Sequence, residues 1–262
     1  MKSARRSGKT PGLSTKNMKR GKEQRYSVTL IIPAFNEEGR ILPTLRQSVD
    51  YMSHYETHEV IVIDDGSTDR TAEVVRGFAE TSPGVSLVSY RPNRGKGFAI
   101  KSGVEHATGD VVFFMDSDLP YPLESIGKAL EYFGDNDLVI GARDLPGAVE
   151  ITPYPWYRKL SGNLFSVLVS NFIVKGIPDT QCGFKGFRRD VAQRLFSKIT
   201  VHGFCFDVEV LAVAQRLGYR IKRIPVSLRH SGGSKVRIIR DSAEMLFQSL
   251  AIRSRVNRGF YD

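Results

Sequence analysis

Two carboxylates at the end of an apolar run carry the strongest chemical signal in the chain. Asp116 and Asp118 stand one residue apart, directly after the apolar residues 111–115. Alternate residues of a strand project from one face, so both carboxylates point the same way if the extended backbone continues through them. Such a pair repels unless a cation lies between its members, and hard oxygen ligands suit Mg²⁺ or Mn²⁺. On the motif alone, a solvated turn at the strand end remains an equal alternative.

The elements around this pair alternate between short apolar runs and helical patterns. Strands are predicted at 28–35, 58–63, 86–90, 110–116 and 138–142, with helices at about 36–54, 69–80, 98–107 and 122–132. This order favours right-handed crossovers and an α/β fold with a mostly parallel sheet covered on both faces. Ligands bind beyond the carboxyl ends of such strands. Polar clusters follow the first, second and fourth strands, so the sequence predicts a site at that edge.

Charge is distributed unevenly along the 262 residues, of which 41% are hydrophobic. Residues 1–25 hold nine Lys and Arg against one acid, so +8 of the net charge of +10 lies there. The sequence predicts a disordered basic tail over 1–25, a folded catalytic domain over 26–235, and a basic amphipathic helix over 236–262. The folded part is nearly neutral and shows no basic stripe with interleaved aromatics, which argues against a nucleic-acid-binding protein.

Three other kinds of site are excluded by residue spacing. Gly8-Lys9-Thr10 resembles the end of a phosphate-binding P-loop, but Ser3 stands where its first glycine belongs. A complete dinucleotide-binding glycine motif is also absent. Cys182 and Cys205 lack metal-ligand spacing, and two such cysteines are typical of buried thiols in a reducing compartment.

Seven motifs occur along the chain in a fixed order. They are PAFNE (33–37), DDGSxD (64–69), NRGKG (93–97), DSD (116–118), GIxDTQCGFK (176–185), FDVE (206–209) and GSK (233–235). In this order they resemble glycosyltransferase family 2 of the GT-A fold over roughly residues 27–240. The last three resemble its polyprenyl-phosphate branch, above all the dolichyl-phosphate β-glucosyltransferases. The resemblance implies a Rossmann-like, mostly parallel sheet flanked by helices, with a C-terminal helical part that faces the acceptor and the membrane. A nucleotidyltransferase shares a similar fold but lacks the 176–185 motif.

The resemblance implies a nucleotide-sugar donor, with UDP-glucose favoured over GDP-mannose or an N-acetylhexosamine donor. Donor-binding residues would be Pro33, Ala34, Phe35, Glu37, Asp64, Asp65, Gly66, Lys96, Asp116, Ser117 and Asp118. Asp116 and Asp118 would hold Mg²⁺ or Mn²⁺ on the diphosphate, where the metal stabilises the charge that develops as the glycosyl bond breaks. Some relatives have a polar third ligand where this chain has Pro120. Lys96 could neutralise the diphosphate further, and a solvated loop lysine is the alternative.

A polyprenyl phosphate acceptor is already anionic near neutral pH, so it needs cations rather than a strong general base. The resemblance implies that Arg143, Arg158, Arg229, Ser234 and Lys235 bind that phosphate. Arg143, Arg229 and Gln181 would join the acidic pair in catalysis. Asp179, Gln181 and Glu209 would line the sugar pocket or orient the cations, while Asp207 is left open between that role and capping a helix. Inversion, and thus a β-linked product, is implied by the family alone.

Access to a lipid acceptor requires a membrane surface, yet no apolar run is long enough to cross a bilayer. Residues 155–174 fit either a helix in the membrane interface or an ordinary packing helix. The basic amphipathic helix at 236–262 is typical of peripheral binding, here expected on the cytoplasmic side, and a membrane-protein partner could serve instead. A transferase that acts on a polysaccharide or a small-molecule hydroxyl remains the alternative reading.

Overall fold

The computed structural model describes residues 26–149, 169–170, 173–229 and 238–262, with backbone alone for 238–243. Its strands are β1 (Val28–Ala34), β2 (His58–Asp65), β3 (Val85–Tyr90), β4 (Val111–Phe114), β5 (Leu138–Ala142), β6 (Lys185–Arg188) and β7 (Ile221–Pro225). Its helices, within those residues, are α1 (Ile41–Met52), α2 (Thr71–Ala79), α3 (Lys96–His106), α4 (Glu124–Leu130), α5 (Arg189–Lys198), α6 (Phe206–Arg216) and α7 (Ile238–Asn257). The five predicted strands and four predicted helices are all present, with shifted ends.

The strands form one sheet in the order β3-β2-β1-β4-β6-β5-β7. Only β6 runs antiparallel to its neighbours, so the predicted mostly parallel sheet is confirmed. From β1 the chain winds outward through β2 and β3, then returns to place β4 on the other side of β1. The crevice between β1 and β4 is therefore a topological switch point, where ligands bind in sheets of this kind.

Strand β1 shows why the sheet is buried on both faces. Leu30 and Ile32 pack in one apolar cluster with residues of α1, α2 and α4. Ile31 points to the opposite face and packs in a second cluster with residues of α3, α5 and α6. Because side chains alternate along a strand, a continuous apolar run supplies both layers, as the sequence predicted.

Helix α1 begins at Ile41, five residues later than expected from the sequence. Asn36 adopts a left-handed conformation with φ 55°, which interrupts any helix through residues 36–38. The segment between β1 and α1 is therefore a turn at the carboxyl edge of the sheet, where its polar groups are available to other loops.

The C-terminal segment does form a helix, α7, on which Leu246, Phe247 and Leu250 are exposed. Within the described residues, no helix combines the length and the apolar character that crossing a membrane requires. The proposed interfacial helix at 155–174 lies mostly outside the described residues, and so does the basic tail. The domain boundaries at 25 and 235 remain predictions.

Glu209 fastens the chain end to the core, so the expectation that it lines the sugar pocket or orients the cations is wrong. Its fully buried carboxylate accepts hydrogen bonds from the Thr200 hydroxyl and from the backbone N–H groups of Thr200 and Val201, at 2.7–2.8 Å. The hydroxyl of Tyr261, itself 1% exposed, donates to the same carboxylate at 2.6 Å. These donors occupy the oxygens that a ligand would need.

We expect Tyr261→Phe to lower the free energy of unfolding by about 1.5–3 kcal/mol, the range for a hydrogen bond to a charged group. The variant keeps the buried ring and removes only the donor to Glu209. Urea unfolding followed by circular dichroism measures the change. Tyr132→Phe is the matched control, because that ring is 37% exposed and its loss of a hydroxyl should cost under about 0.5 kcal/mol. Equal midpoints for the two variants would contradict the assignment.

Candidate active site

The acidic turn 116–118 lies at the switch point, immediately beyond β4. The strand ends at Phe114 and Leu119 has φ 44°, so the extended backbone does not continue through the pair. The strand-alternation argument for the two carboxylates is therefore wrong. Both carboxylates nonetheless act on one lysine: burial lowers the pKa of Lys96, but the charges of Asp116 and Asp118 contribute to raising it overall.

Two neighbouring elements hold this turn in place. The Thr44 hydroxyl of α1 donates to the carbonyl of Ser117 at 2.5 Å. The backbone N–H of Arg229 donates to the carbonyl of Pro120 at 2.8 Å, which places the exposed Arg229 beside the turn. Helix α1 and the segment after β7 thus fix the acidic pair from two sides.

Lys96 is the first residue of α3, and its Nζ lies 2.5 Å from Asp116 Oδ1. Its side chain is only 17% exposed, so the alternative of a solvated loop lysine is wrong. The backbone N–H of Gly97 donates to the carbonyl of His202 at 2.7 Å and holds the start of α3 against the segment before α6. Lys96 therefore supplies a fixed positive charge at the acidic turn.

Asp65 organises the loop that leads to Lys96. Its carboxylate accepts from the backbone N–H groups of Arg94 and Gly95, at 2.8 and 2.9 Å, and from the Asn93 amide at 2.8 Å. Gly66 permits this approach, because it has φ 73° and a Cβ there would lie 2.6 Å from the backbone nitrogen of Asn93. These three hydrogen bonds leave the Asp65 carboxylate little remaining capacity to accept one from a nucleotide-sugar.

The other residues predicted on the donor side surround the ends of β1 and β2. Asp64 is buried and accepts from the Ser67 N–H and the Ser89 hydroxyl. The Glu37 carboxylate forms an ion pair with Arg40. The backbone N–H of Glu37 donates to the Thr71 hydroxyl at 2.7 Å. Ala34 is buried, whereas Phe35 is 37% exposed at the end of β1. Pro33 is half-buried at the end of β1.

On the acceptor side, Asp179 orients Arg143. The guanidinium donates to the two carboxylate oxygens at 2.8 and 2.6 Å, and the Arg143 backbone N–H adds a third bond at 2.8 Å. Burial opposes the charge of Arg143, but hydrogen bonding to Asp179 together with nearby negative charge raises the pKa of the guanidinium overall. Arg143 is therefore a permanently charged group in a fixed position. This agrees with the expectation that Asp179 orients a cationic residue.

The segment 179–185 runs directly beside the acidic turn. A Cβ on Gly183 would lie 2.5 Å from Asp116 Oδ2, so a larger residue would displace that carboxylate. Two residues earlier, Gln181 Nε2 is buried and has no hydrogen-bond partner among the described residues. A buried amide without a partner is costly, and a ligand oxygen would satisfy it.

The acidic turn fits a divalent cation in its chemistry. Asp116 and Asp118 are hard oxygen donors, and Mg²⁺ sites use one or two carboxylates together with substrate phosphates and water. Among the described residues, no cluster of three or more His, Cys, Asp or Glu could hold a metal by itself. With Pro120 in place of a third ligand, the remaining coordination falls to water or to donor phosphates.

Three predicted acceptor residues, Arg158, Ser234 and Lys235, lie outside the described residues. Sequence reasoning missed a buried ion pair between Lys185 and Asp207. Asp207 was left open as a helix cap, but its carboxylate binds Lys185 at 2.5 Å and caps no backbone N–H. The only signal for this pair was a lysine placed between aromatic residues in the run 184–187.

Comparison with known proteins shows which family and which enzymes the chain is similar to. Residues 29–196 match the model of glycosyl transferase family 2. The chain is 35% identical over 223 residues to a dolichyl-phosphate beta-glucosyltransferase of Trichomonas vaginalis, covering 80% of this chain and 66% of that protein. It is 31% identical over 248 residues to the Dictyostelium discoideum protein of the same name, covering 89% and 76%. The human protein of that name is 33% identical over 224 residues, covering 80% and 69%.

Among solved structures, the chain resembles glucosyl-3-phosphoglycerate synthase from Mycobacterium tuberculosis. The complex of that enzyme with Mn²⁺, UDP and phosphoglyceric acid superposes with a TM-score of 0.66, at 21% identity, over 95% of this chain and 84% of the enzyme. A complex of the same enzyme with Mg²⁺ and UDP gives a TM-score of 0.67, also at 21% identity, over 91% and 84%. At this level of identity the likeness establishes a common fold.

Proposed function

The chain belongs to glycosyl transferase family 2, and we propose that it moves glucose from UDP-glucose to a dolichyl-type polyprenyl phosphate, with a β-linked product. The name shared by relatives at 31–35% identity supports this choice of sugar and acceptor. The observation that carries the proposal is that the segment 179–183 runs beside the Asp116 carboxylate, with Arg143 held by Asp179 at its start. In the proposed arrangement, the donor and acceptor groups would therefore lie close together in the crevice.

The donor would lie over the ends of β1, β2 and β4. Phe35 offers its exposed ring to the uracil, and the loop ordered by Asp65 delivers Lys96 to the diphosphate side. Asp116 and Asp118 are the residues that would hold Mg²⁺ or Mn²⁺. When bound, that metal would stabilise the negative charge of the departing diphosphate. Solved structures of the same fold with Mn²⁺ or Mg²⁺ and UDP support this assignment.

The acceptor phosphate would lie against Arg143, which Asp179 orients, and Arg229, whose backbone lies beside the acidic turn. One phosphate oxygen forms the new bond to the anomeric carbon while the bond to the diphosphate breaks, and UDP leaves with the electron pair. A phosphate already ionised at neutral pH gives up no proton, so no general base is required. Arg143 and Arg229 orient the anion by charge-assisted hydrogen bonds, and the Gln181 amide would donate to a sugar hydroxyl.

The protein would work at the surface of a membrane, and we place it on the cytoplasmic side. The exposed Leu246, Phe247 and Leu250 on α7, near Arg253 and Arg258, support contact with lipid. The relatives named for a dolichyl-phosphate acceptor support the same location. No observation on the described residues supports the alternative of a membrane-protein partner.

A donor and acceptor panel tests the proposed function. Purified protein is supplied with Mg²⁺ or Mn²⁺ and radiolabelled UDP-glucose, GDP-mannose or UDP-N-acetylglucosamine, in the presence of polyprenyl phosphate in detergent. We expect label from UDP-glucose in the lipid extract, lost in EDTA and restored by either cation. Transfer from GDP-mannose alone would overturn the choice of sugar. Transfer to a sugar hydroxyl, with none to polyprenyl phosphate, would overturn the choice of acceptor.

A further inference from the structure

Lys185 and Asp207 form an ion pair in the interior, next to the site. Their side chains are 0% and 4% exposed, and Nζ lies 2.5 Å from Oδ1. The same Nζ donates to the carbonyl of Cys182 at 2.6 Å. Replacing a buried ion pair by apolar residues is often neutral or stabilising, so stability alone does not account for one here.

Lys185 and Lys96 each approach one of two neighbouring aromatic rings. The rings of Phe114 and Phe206 are 5.8 Å apart, with Lys185 Nζ 5.6 Å from the first and Lys96 Nζ 6.0 Å from the second. A Cβ on Gly97 would lie 2.7 Å from Phe206 Cβ, so the starts of α3 and α6 are in direct contact. The start of α6, which carries Asp207, therefore packs against the start of α3, which carries Lys96. Burial lowers the pKa of Lys96, but the charges of Asp116 and Asp207 raise it overall.

We propose that the Lys185–Asp207 pair positions Lys96 and thereby determines how easily Asp116 leaves its ion pair with Lys96 to bind a divalent cation. This inference rests on the proposed function, in which Asp116 is a metal ligand. While Asp207 remains a partner for Lys96, a cation can take Asp116 without leaving a buried ammonium uncompensated. Lys185 weakens this compensation of the Lys96 charge, because it competes with Lys96 for the Asp207 carboxylate.

Opposite effects on metal affinity follow from these charges. In Asp207→Asn, Lys96 keeps only the carboxylates of the acidic turn as nearby anions, so we expect Mn²⁺ to bind about tenfold more weakly. In Lys185→Met, Asp207 serves Lys96 alone, so we expect Mn²⁺ to bind about threefold more tightly. In this scheme Lys185 acts only through Asp207. The double variant Lys185→Met/Asp207→Leu should therefore bind Mn²⁺ as weakly as Asp207→Asn, with no benefit from the loss of the lysine.

Electron paramagnetic resonance of Mn²⁺, titrated into full-length protein with saturating UDP, measures these affinities without turnover. Thermal unfolding of each variant is recorded beside it. A purely structural pair would destabilise both single variants and move Mn²⁺ affinity in the same direction or not at all, and either result overturns the proposal. The apolar double variant retains a filled core, so it decides the matter even if a single variant fails to fold. Wild-type affinity in that double variant would equally refute the positioning role.

The wild-type protein and Asp118→Asn separate this inference from the proposed function. If the wild type binds no Mn²⁺ with UDP, or Asp118→Asn binds it equally well, the metal assignment itself is wrong. If the wild type binds Mn²⁺ and Asp118→Asn does not, while the Lys185 and Asp207 variants match the wild type, only the positioning role is wrong.

Discussion

Asp118→Asn is expected to lower kcat by about 10³-fold or more while the protein stays folded. A metal acting as a Lewis acid supplies several kcal/mol of transition-state stabilisation, and about 4 kcal/mol corresponds to a factor of 10³ in rate. The loss should fall on kcat more than on KM, because the charge that the metal stabilises develops only as the glycosyl bond breaks. Asp118 is partly exposed, so its neutral isostere should change the melting temperature little.

Asp110→Asn is the control for that variant, because it makes the same change at the opposite end of β4. Asp110 accepts from the backbone N–H and hydroxyl of Ser27, at 3.0 and 2.7 Å, far from the carboxyl edge of the sheet. This control should keep turnover within about twofold of the wild type and lose only a little stability. Initial rates across a Mn²⁺ titration measure both variants. A fully active Asp118→Asn would show that the carboxylate does not hold the metal.

The first half of the fold was predictable because its strands are apolar on both faces. Apolar runs such as 28–32 and 111–114 are separated by segments with helical periodicity. In such a chain they are best explained as buried strands of a parallel sheet. Strands β6 and β7 were not predicted, and their residues show why. Strand β6 carries a buried lysine, Lys185, and β7 has two adjacent basic residues, Lys222 and Arg223, at the edge of the sheet. Their burial depends on partners distant in sequence.

The location of the candidate site was predictable, but the direction in which its polar side chains point was not. Clusters after three parallel strands must meet at one edge, and they do. Whether a carboxylate faces a ligand or its own backbone depends on loop geometry that a single sequence does not contain. Asp64 and Asp65 accept bonds from nearby loops, whereas Asp116 meets Lys96 across the crevice. The pairing of Lys185 with Asp207 was not predicted, because each resembles a surface residue until the fold brings the two together.

Asp179→Asn is expected to lower turnover about 100-fold, because Arg143 would lose both of its carboxylate contacts and misplacement of about 1 Å can cost that much. It should also lower the free energy of unfolding by about 2–3 kcal/mol. This is less than the 3–5 kcal/mol of a fully buried pair, since the Arg143 side chain is 35% exposed. The KM for polyprenyl phosphate should rise more than the KM for UDP-glucose, since we propose that Arg143 binds the acceptor phosphate.

The effect of pH on stability gives the Asp179 variant a second, independent readout. Burial opposes the charge of Asp179, but Arg143 outweighs it and lowers the pKa of the carboxyl. A lowered pKa means that the pair stabilises the fold above the ordinary Asp value of about 3.9 and loses that effect as the pH falls through the lowered value. The difference in unfolding free energy between wild type and variant should therefore shrink on acidification.

Asp262→Asn is the control for Asp179→Asn, because it also breaks a two-contact Asp–Arg pair, with Arg216 at 2.7 and 2.6 Å. That pair is 43% and 50% exposed, and exposed pairs contribute little, so both stability and turnover should stay close to the wild type. Arg143→Lys separates charge from orientation, because an ammonium keeps the charge but loses the two-pronged contact with Asp179. If Asp179→Asn kept wild-type turnover and acceptor KM, Arg143 would be a structural residue, and the acceptor phosphate would have to be held by Arg229 and the segments beyond it.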